Sequence, residues 1–203
     1  HLYHETKYGV DSFNKRMQTD RNIVIAFSRK INIAVVDTMP VKNLMQLLNA
    51  NSYQKGGWVL HMLRRKIGDS LFWKGIRSYY ATYAGSNAGT EDLCKIFEKV
   101  SHQNFQTFFK QWLYTPGQPK LDVEWKYDER KKSLSIKVIQ LQDNLFTFPL
   151  EIGFGDENKK NIKTIYIKSK ITESQFSVKN KPVTISADPN VNLLFEGDVK
   201  EMK

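Results

Sequence analysis

From His1 to about Thr115 the apolar residues recur with the spacing of a helix, and after that with the spacing of a strand. Tyr3, Phe13, Met17 and the cluster Ile23 to Phe27 predict one or two helices up to Lys30, followed by an irregular connection from Ile31 to Asn51 that contains Pro40. Asn51 or Ser52 is placed to cap the next helix, which runs through Leu60, Met62 and Leu63 to Ile67 and stops at Gly68. Asp69 or Ser70 opens another helix, with Leu71, Phe72, Ile76, Tyr79 and Tyr80 on one side and Gly85 as its stop. Thr90 is the expected cap of a fourth, and Asn104 or its neighbours start a short fifth that ends in Gln111-Trp112-Leu113.

Beyond Thr115-Pro116-Gly117-Gln118-Pro119 the period falls to two. Leu121, Val123 and Trp125 alternate with charged residues, as do Leu134, Ile136 and Val138, then Leu150, Ile152 and Phe154, then Ile165 and Ile167, and finally Val183 and Ile185. Turn signals at Asp128 to Lys132, Gly155 to Lys160 and Asp188-Pro189-Asn190 separate these runs. Six or seven short strands at this spacing predict a small antiparallel β-sandwich. The expected fold class is therefore α+β in two segregated parts, an all-helical domain over residues 1–117 and a β-sandwich domain over residues 118–203.

Composition narrows the class. A 203-residue chain with 40% hydrophobic residues has enough apolar surface for a packed core. Its apolar runs fall well short of the about 18 residues that cross a bilayer, so a soluble protein without a transmembrane segment is expected, cytoplasmic or exported. The chain opens on a histidine inside a helical pattern, which leads us to expect a start within a longer protein. The net charge of +10 divides unevenly: residues 1–117 hold 16 basic and 8 acidic side chains (+8), and residues 118–203 hold 15 and 13 (+2). In the first half the basic residues are scattered over helices apart from Arg64-Arg65-Lys66, with no aromatic-basic stretch of the kind that stacks bases, so nucleic acid is not an expected partner.

Candidate chemistry is sparse. The opening His1-Leu-Tyr-His4-Glu5 places two histidines three apart, whereas a zincin helix needs H-E-x-x-H. His61 and His102 are isolated, and a single cysteine, Cys94, excludes an internal disulfide and lies on an apolar helix side. The Gly85-to-Thr90 segment lacks the lysine of a phosphate loop, and no serine has a G-x-S-x-G setting. Tyr53 stands out because it precedes adjacent glycines, Gly56 and Gly57, inside a helical segment where each costs about 1 kcal/mol relative to alanine. Two readings of these residues remain open: the glycines let another chain or a ligand come close while the phenol points into a cleft, or Tyr53 packs and the glycines admit a neighbouring helix.

The order of the pieces carries more. Tyr53-Gln-Lys-Gly-Gly-Trp-Val-Leu-His-Met-Leu-Arg64, the helix opening Gly68-Asp-Ser-Leu-Phe-Trp, Gln111-Trp112-Leu113 through Pro119, the strand with Val123 and Trp125, Gln140-Leu-Gln142, Lys181-Pro182 and Asp188-Pro189-Asn190 follow one another in a way that resembles the aminopeptidase N family of gluzincin metallopeptidases. The likeness covers essentially the whole chain. It implies the helical second half of a thermolysin-like catalytic domain followed by a small sandwich, from a zinc enzyme that removes N-terminal residues from peptides. Tyr53 matches the family's tyrosine that faces the metal and stabilises the transition state, with Gly56 and Gly57 beside it as substrate-binding positions. The zinc ligands, the general-base glutamate and the amine-binding motif have no counterpart here, so the resemblance implies a zinc cofactor in the full-length parent and none bound by this chain, which is expected to be inactive alone. Its implied partners are a peptide substrate and the N-terminal remainder of the catalytic domain. The competing expectation is a stand-alone module that binds a protein, a glycan or nucleic acid.

Overall fold

The computed structural model describes residues 1–37, 43–156 and 160–202. Pro40, expected in the irregular connection, and part of the turn expected over Gly155 to Lys160 lie outside them. The chain divides into two compact units, Asp20–Gly117 and the pair of segments His1–Thr19 and Gln118–Lys203.

Two helices, α1 (Leu2–Tyr8) and α2 (Val10–Lys30), meet at Gly9, and the division between the units falls within α2. Phe13, Met17 and Val24 of α2 are buried, as their spacing requires. Tyr3 is not part of that face: it is exposed, and the Lys7 ammonium sits 5.5 Å from its ring and 5.2 Å from that of Tyr8. The aromatic thus meets a cation at the surface rather than the core.

The unit Asp20–Gly117 contains α3 (Gly56–Ile67), α4 (Asp69–Tyr83), α5 (Thr90–Ser101) and the single turn α6 (Gln106–Phe109). Gly68, at φ 81°, makes the corner between α3 and α4, a conformation that a Cβ would strain. Arg64 crosses this corner and holds both carboxylate oxygens of Asp69 at 2.8 Å. Trp58, Leu63, Phe72, Phe97, Phe105 and Trp112 are buried in this unit. The Phe97 ring lies so close to Gly75 of α4 that an added Cβ would meet it at 2.4 Å. Tyr80, expected on the apolar side of α4, is exposed, one position off the stripe that Phe72 and Gly75 define. The start of α5 also differs from expectation. Thr90 is its first residue, and the cap is made by Asp92, whose Oδ2 accepts the Gly89 N–H at 3.0 Å. That carboxylate occupies the donor an anion would have needed.

Seven strands form two sheets: β1 (Lys120–Asp128), β2 (Ser133–Gln140), β3 (Phe148–Gly155), β4 (Lys160–Ile167), β5 (Ile171–Ser177), β6 (Thr184–Ala187) and β7 (Glu196–Glu201). One sheet has the order β5-β2-β1-β7 and the other β4-β3-β6. Val123 pairs with Val138 and Leu134 with Phe176 in antiparallel ladders. The sandwich is not wholly antiparallel, because β7 pairs with β1 in parallel, Val123 opposite Val199. Leu121, Val123, Leu134, Ile136 and Val138 of the first sheet are buried, as are Leu150, Ile152, Phe154, Ile165 and Ile167 of the second. Phe154 of β3 stacks on Phe176 of β5 across the two sheets, with ring centroids 6.0 Å apart. Val183 falls outside β6 and is exposed; its N–H reaches Gly155 O at 2.9 Å, so its backbone rather than its side chain joins the sheet.

Candidate functional site

The segment that precedes α3 is not ordinary α-helix. Asn51–Lys55 forms one turn of π-helix, in which Lys55 N–H donates to Ala50 O at 2.9 Å and Gly56 N–H reaches Asn51 O, each five residues back. Such single turns arise where one extra residue is accommodated in a helix, and they concentrate at functional sites. A short 3₁₀ turn, Leu44–Leu47, leads into it. The expected cap at Asn51 or Ser52 is replaced by Asn49, whose Oδ1 accepts the N–H of Asn51 at 2.9 Å and of Ser52 at 3.3 Å. Asn51 is itself buried and its side chain faces inward, where capping is not possible.

Tyr53 sits at the middle of this turn with 60% of its surface exposed. Its N–H donates to Asn49 O at 3.2 Å, so the backbone under the ring is hydrogen-bonded while the phenol meets open space. The glycines that follow behave differently from a helix-packing contact. An added Cβ at Gly57 would meet nothing within 4 Å, and one at Gly56 only Asn51 O at 3.7 Å. No neighbour within the described residues therefore requires glycine at position 57. Tyr53, Gly56 and Gly57 fall within five residues at the start of α3, with Tyr53 and Gly57 exposed and Gly56 half-buried.

Two residues flanking Tyr53 were passed over in the sequence. Asn51 and Lys55 are 2% and 1% exposed, four apart and on the inner side of the turn. Asn51 Nδ2 donates to Ile33 O at 2.8 Å and to Ala34 O at 3.3 Å. Lys55 Nζ donates to Gly117 O at 2.6 Å. Burial pushes the Lys55 ammonium down to about 8, because a charge removed from water loses its hydration. The available signal was the pattern N-x-Y-x-K itself, a lysine placed one turn after an asparagine ahead of an apolar helix, where a solvated lysine would have been the ordinary reading.

The remaining candidates have local roles. His61 is buried with its ring edge-on to Trp58, centroids 5.6 Å apart. His102 ends α5 in the left-handed region at φ 55°. Cys94 is buried, and desolvation, reinforced by the Glu98 carboxylate, pushes its thiol up to about 11, which removes its nucleophilic thiolate at neutral pH. Among the described residues no group of three or more His, Cys, Asp or Glu side chains is placed to hold a metal ion.

Residues 3–112 match the family model described as the Peptidase family M1 domain. Aminopeptidase M1-C of Oryza sativa subsp. japonica is 37% identical over 81 residues, which are 40% of this chain and 9% of that protein. Leucyl aminopeptidase of Saccharolobus solfataricus is 27% identical over 159 residues, 78% of this chain and 18% of that one. The chain thus spans about a tenth to a fifth of the length of these curated relatives. Among solved structures, Legionella pneumophila aminopeptidase A, determined in complex with aspartic acid, superposes with a TM-score of 0.79 at 17% identity, over 97% of this chain and 22% of that one. At that identity the superposition establishes a shared fold.

Proposed function

The chain belongs to peptidase family M1, and from that premise we propose that it is part of a zinc-dependent aminopeptidase in which Tyr53 donates a hydrogen bond to the reacting peptide carbonyl. The observation that carries this reading is the placement of Tyr53: an exposed phenol on a π-helical turn, on a backbone fixed from both sides, within the segment that matches the family. When a peptide carbonyl is attacked, negative charge gathers on its oxygen. A donor already in place stabilises that charge without reorganising, and losing one such donor costs about 10² to 10³ in turnover, roughly 3 to 4 kcal/mol. Gly56 and Gly57 leave the surface beside the phenol free of side chains, which lets an extended substrate backbone lie against the mouth of α3.

M1 enzymes use zinc to polarise the scissile carbonyl and activate water. The described residues do not supply a donor set for that ion. On this reading the metal donors and the group that grips the substrate's free amine lie on a part of the protein outside these 203 residues, the sequence by itself is inactive, and residues 1–117 act as part of a catalytic domain with residues 118–203 as an accessory sandwich. The substrate class is a peptide with an unblocked N-terminus. A direct test uses the intact protein that carries this sequence, assayed with an aminoacyl p-nitroanilide and its N-acetylated counterpart. Cleavage of the free-amine compound alone, abolished by a chelator and restored by zinc, is the expected result. Equal cleavage of both compounds, or activity indifferent to chelation, would overturn the assignment.

A further inference from the structure

We propose that Asn51 and Lys55 are positioning residues that hold the Tyr53 turn in its reactive orientation by tying its two ends to two irregular backbone segments. The inference rests on the reading of Tyr53 as a transition-state donor.

The geometry is that of a clamp. Asn51 at the start of the turn donates to Ile33 O and Ala34 O, and Lys55 at its end donates to Gly117 O. The two anchored segments are joined to each other through Val36 N–H and Leu113 O, 2.9 Å apart. Gly117 stands at φ 78°, and an added Cβ there would lie 3.3 Å from Asn32 Oδ1, so the carbonyl that receives Lys55 has a backbone conformation open to few residues other than glycine. From the outer side, Asn49 Oδ1 accepts the Asn51 and Ser52 N–H groups. Tyr53 is therefore the exposed centre of a turn whose inner corners are pinned.

The residue types follow from what they must satisfy. Irregular segments carry carbonyls with no ladder to join, and a buried carbonyl without a donor is costly. An asparagine amide and a lysine ammonium, both almost wholly buried, supply donors to three carbonyls of half-buried irregular segments. A methionine or leucine at 55 would leave Gly117 O without the Lys55 donor. Pinning matters for chemistry because a donor displaced by about 1 Å loses about 10²-fold in rate. A lysine buried merely for packing would affect folding but would have no reason to act through one particular side chain.

That difference supplies the test. In the intact protein, kcat and KM are measured for wild type, Tyr53→Phe, Lys55→Met and the double variant with an aminoacyl p-nitroanilide. Lys55→Met is expected to lower kcat at least tenfold with KM within about twofold, and to have less than a twofold further effect once Tyr53 is already phenylalanine. Independent, multiplying effects of the two substitutions, or an unchanged kcat in Lys55→Met while Tyr53→Phe is slow, would overturn the proposal. Hydrogen exchange of the peptide spanning residues 49–57 supplies a readout separate from catalysis: exchange at least tenfold faster in Lys55→Met is expected, and unaltered protection would overturn the clamp. If Tyr53→Phe keeps full kcat, the assignment of Tyr53 fails, and the exchange result alone decides whether the clamp exists. Asn51→Ala, which releases the opposite corner, takes the same measurements should Lys55→Met fail to fold.

Discussion

At the scale of single residues, the buried Lys55 ammonium has a pH signature. Its folded value of about 8 lies below the ordinary 10.5, so the folded protein releases this proton earlier than the unfolded chain does. The cost of burying the charge is fully present below about pH 8 and is relieved as pH rises from there toward 10.5. Relief of roughly 2 to 3 kcal/mol is expected between pH 7 and 10, from about 1.36 kcal/mol per unit of displacement. Measured as the difference in urea unfolding free energy between wild type and Lys55→Met, stability should shift in favour of wild type as pH rises; a difference that stays flat would contradict it. Cys94 should react with a thiol-disulfide reagent at pH 8 about 10²-fold more slowly in the native state than in urea, because a thiol at about 11 is almost wholly protonated. The two interior glycines of α3 and α4 should respond oppositely to alanine. Gly75→Ala forces a methyl against the buried Phe97 ring and should cost 1 to 3 kcal/mol by overpacking, roughly, less the helix propensity it gains. Gly57→Ala meets open space and should raise the melting temperature, while slowing turnover if substrate backbone occupies that surface.

At the scale of elements, what the sequence discloses depends on how strongly an element's period is written. The helices α3 to α5 were legible because apolar residues at helical spacing run for three or more turns and Gly68 marks a stop. Buried positions recur every second residue through most of β2, at the start of β1 and β3 and at the end of β4, where one face of each is covered. β5 and β7 escaped recognition. They are the outer strands of their sheet, and with one side unpaired and little surface buried, I-T-E-S-Q-F-S and E-G-D-V-K-E carry few apolar positions. The parallel direction of β7 was equally hidden, being set by the route of the chain between the sheets and not by any local pattern. The π-helical turn around Tyr53 is too short to alter a periodicity, although the residues that make it were visible as a tyrosine ahead of two glycines. Polar residues inside the core form another class of element that pattern alone does not reveal. Gln140, fully buried at the end of β2, accepts from Phe146 N–H and Gln142 Nε2 and donates to Phe146 O and Ser169 O. It pins the connection from β2 to β3 the way a strand would. Gln140→Leu should cost about 3 kcal/mol in urea unfolding, since it strands backbone groups that each cost about 1 to 3 kcal/mol when unpaired. A loss below about 1 kcal/mol would show that the connection repacks.

At the scale of the molecule, the family M1 match covers residues 3–112, which include Tyr53, and seven strands follow it in the chain; no helix among the described residues is long and apolar enough to cross a membrane. Residues 1–117 carry +8 of the net +10 charge and residues 118–203 the remaining +2, and the exposed Tyr53 lies within the residues that match the family. The central claim is that this phenol stabilises charge in the transition state, and the most direct measurement is kcat and zinc content of the intact protein with and without Tyr53→Phe. The account expects kcat to fall by about 10² or more with KM and zinc stoichiometry unchanged. A variant that turns over at the wild-type rate with its zinc in place would contradict it.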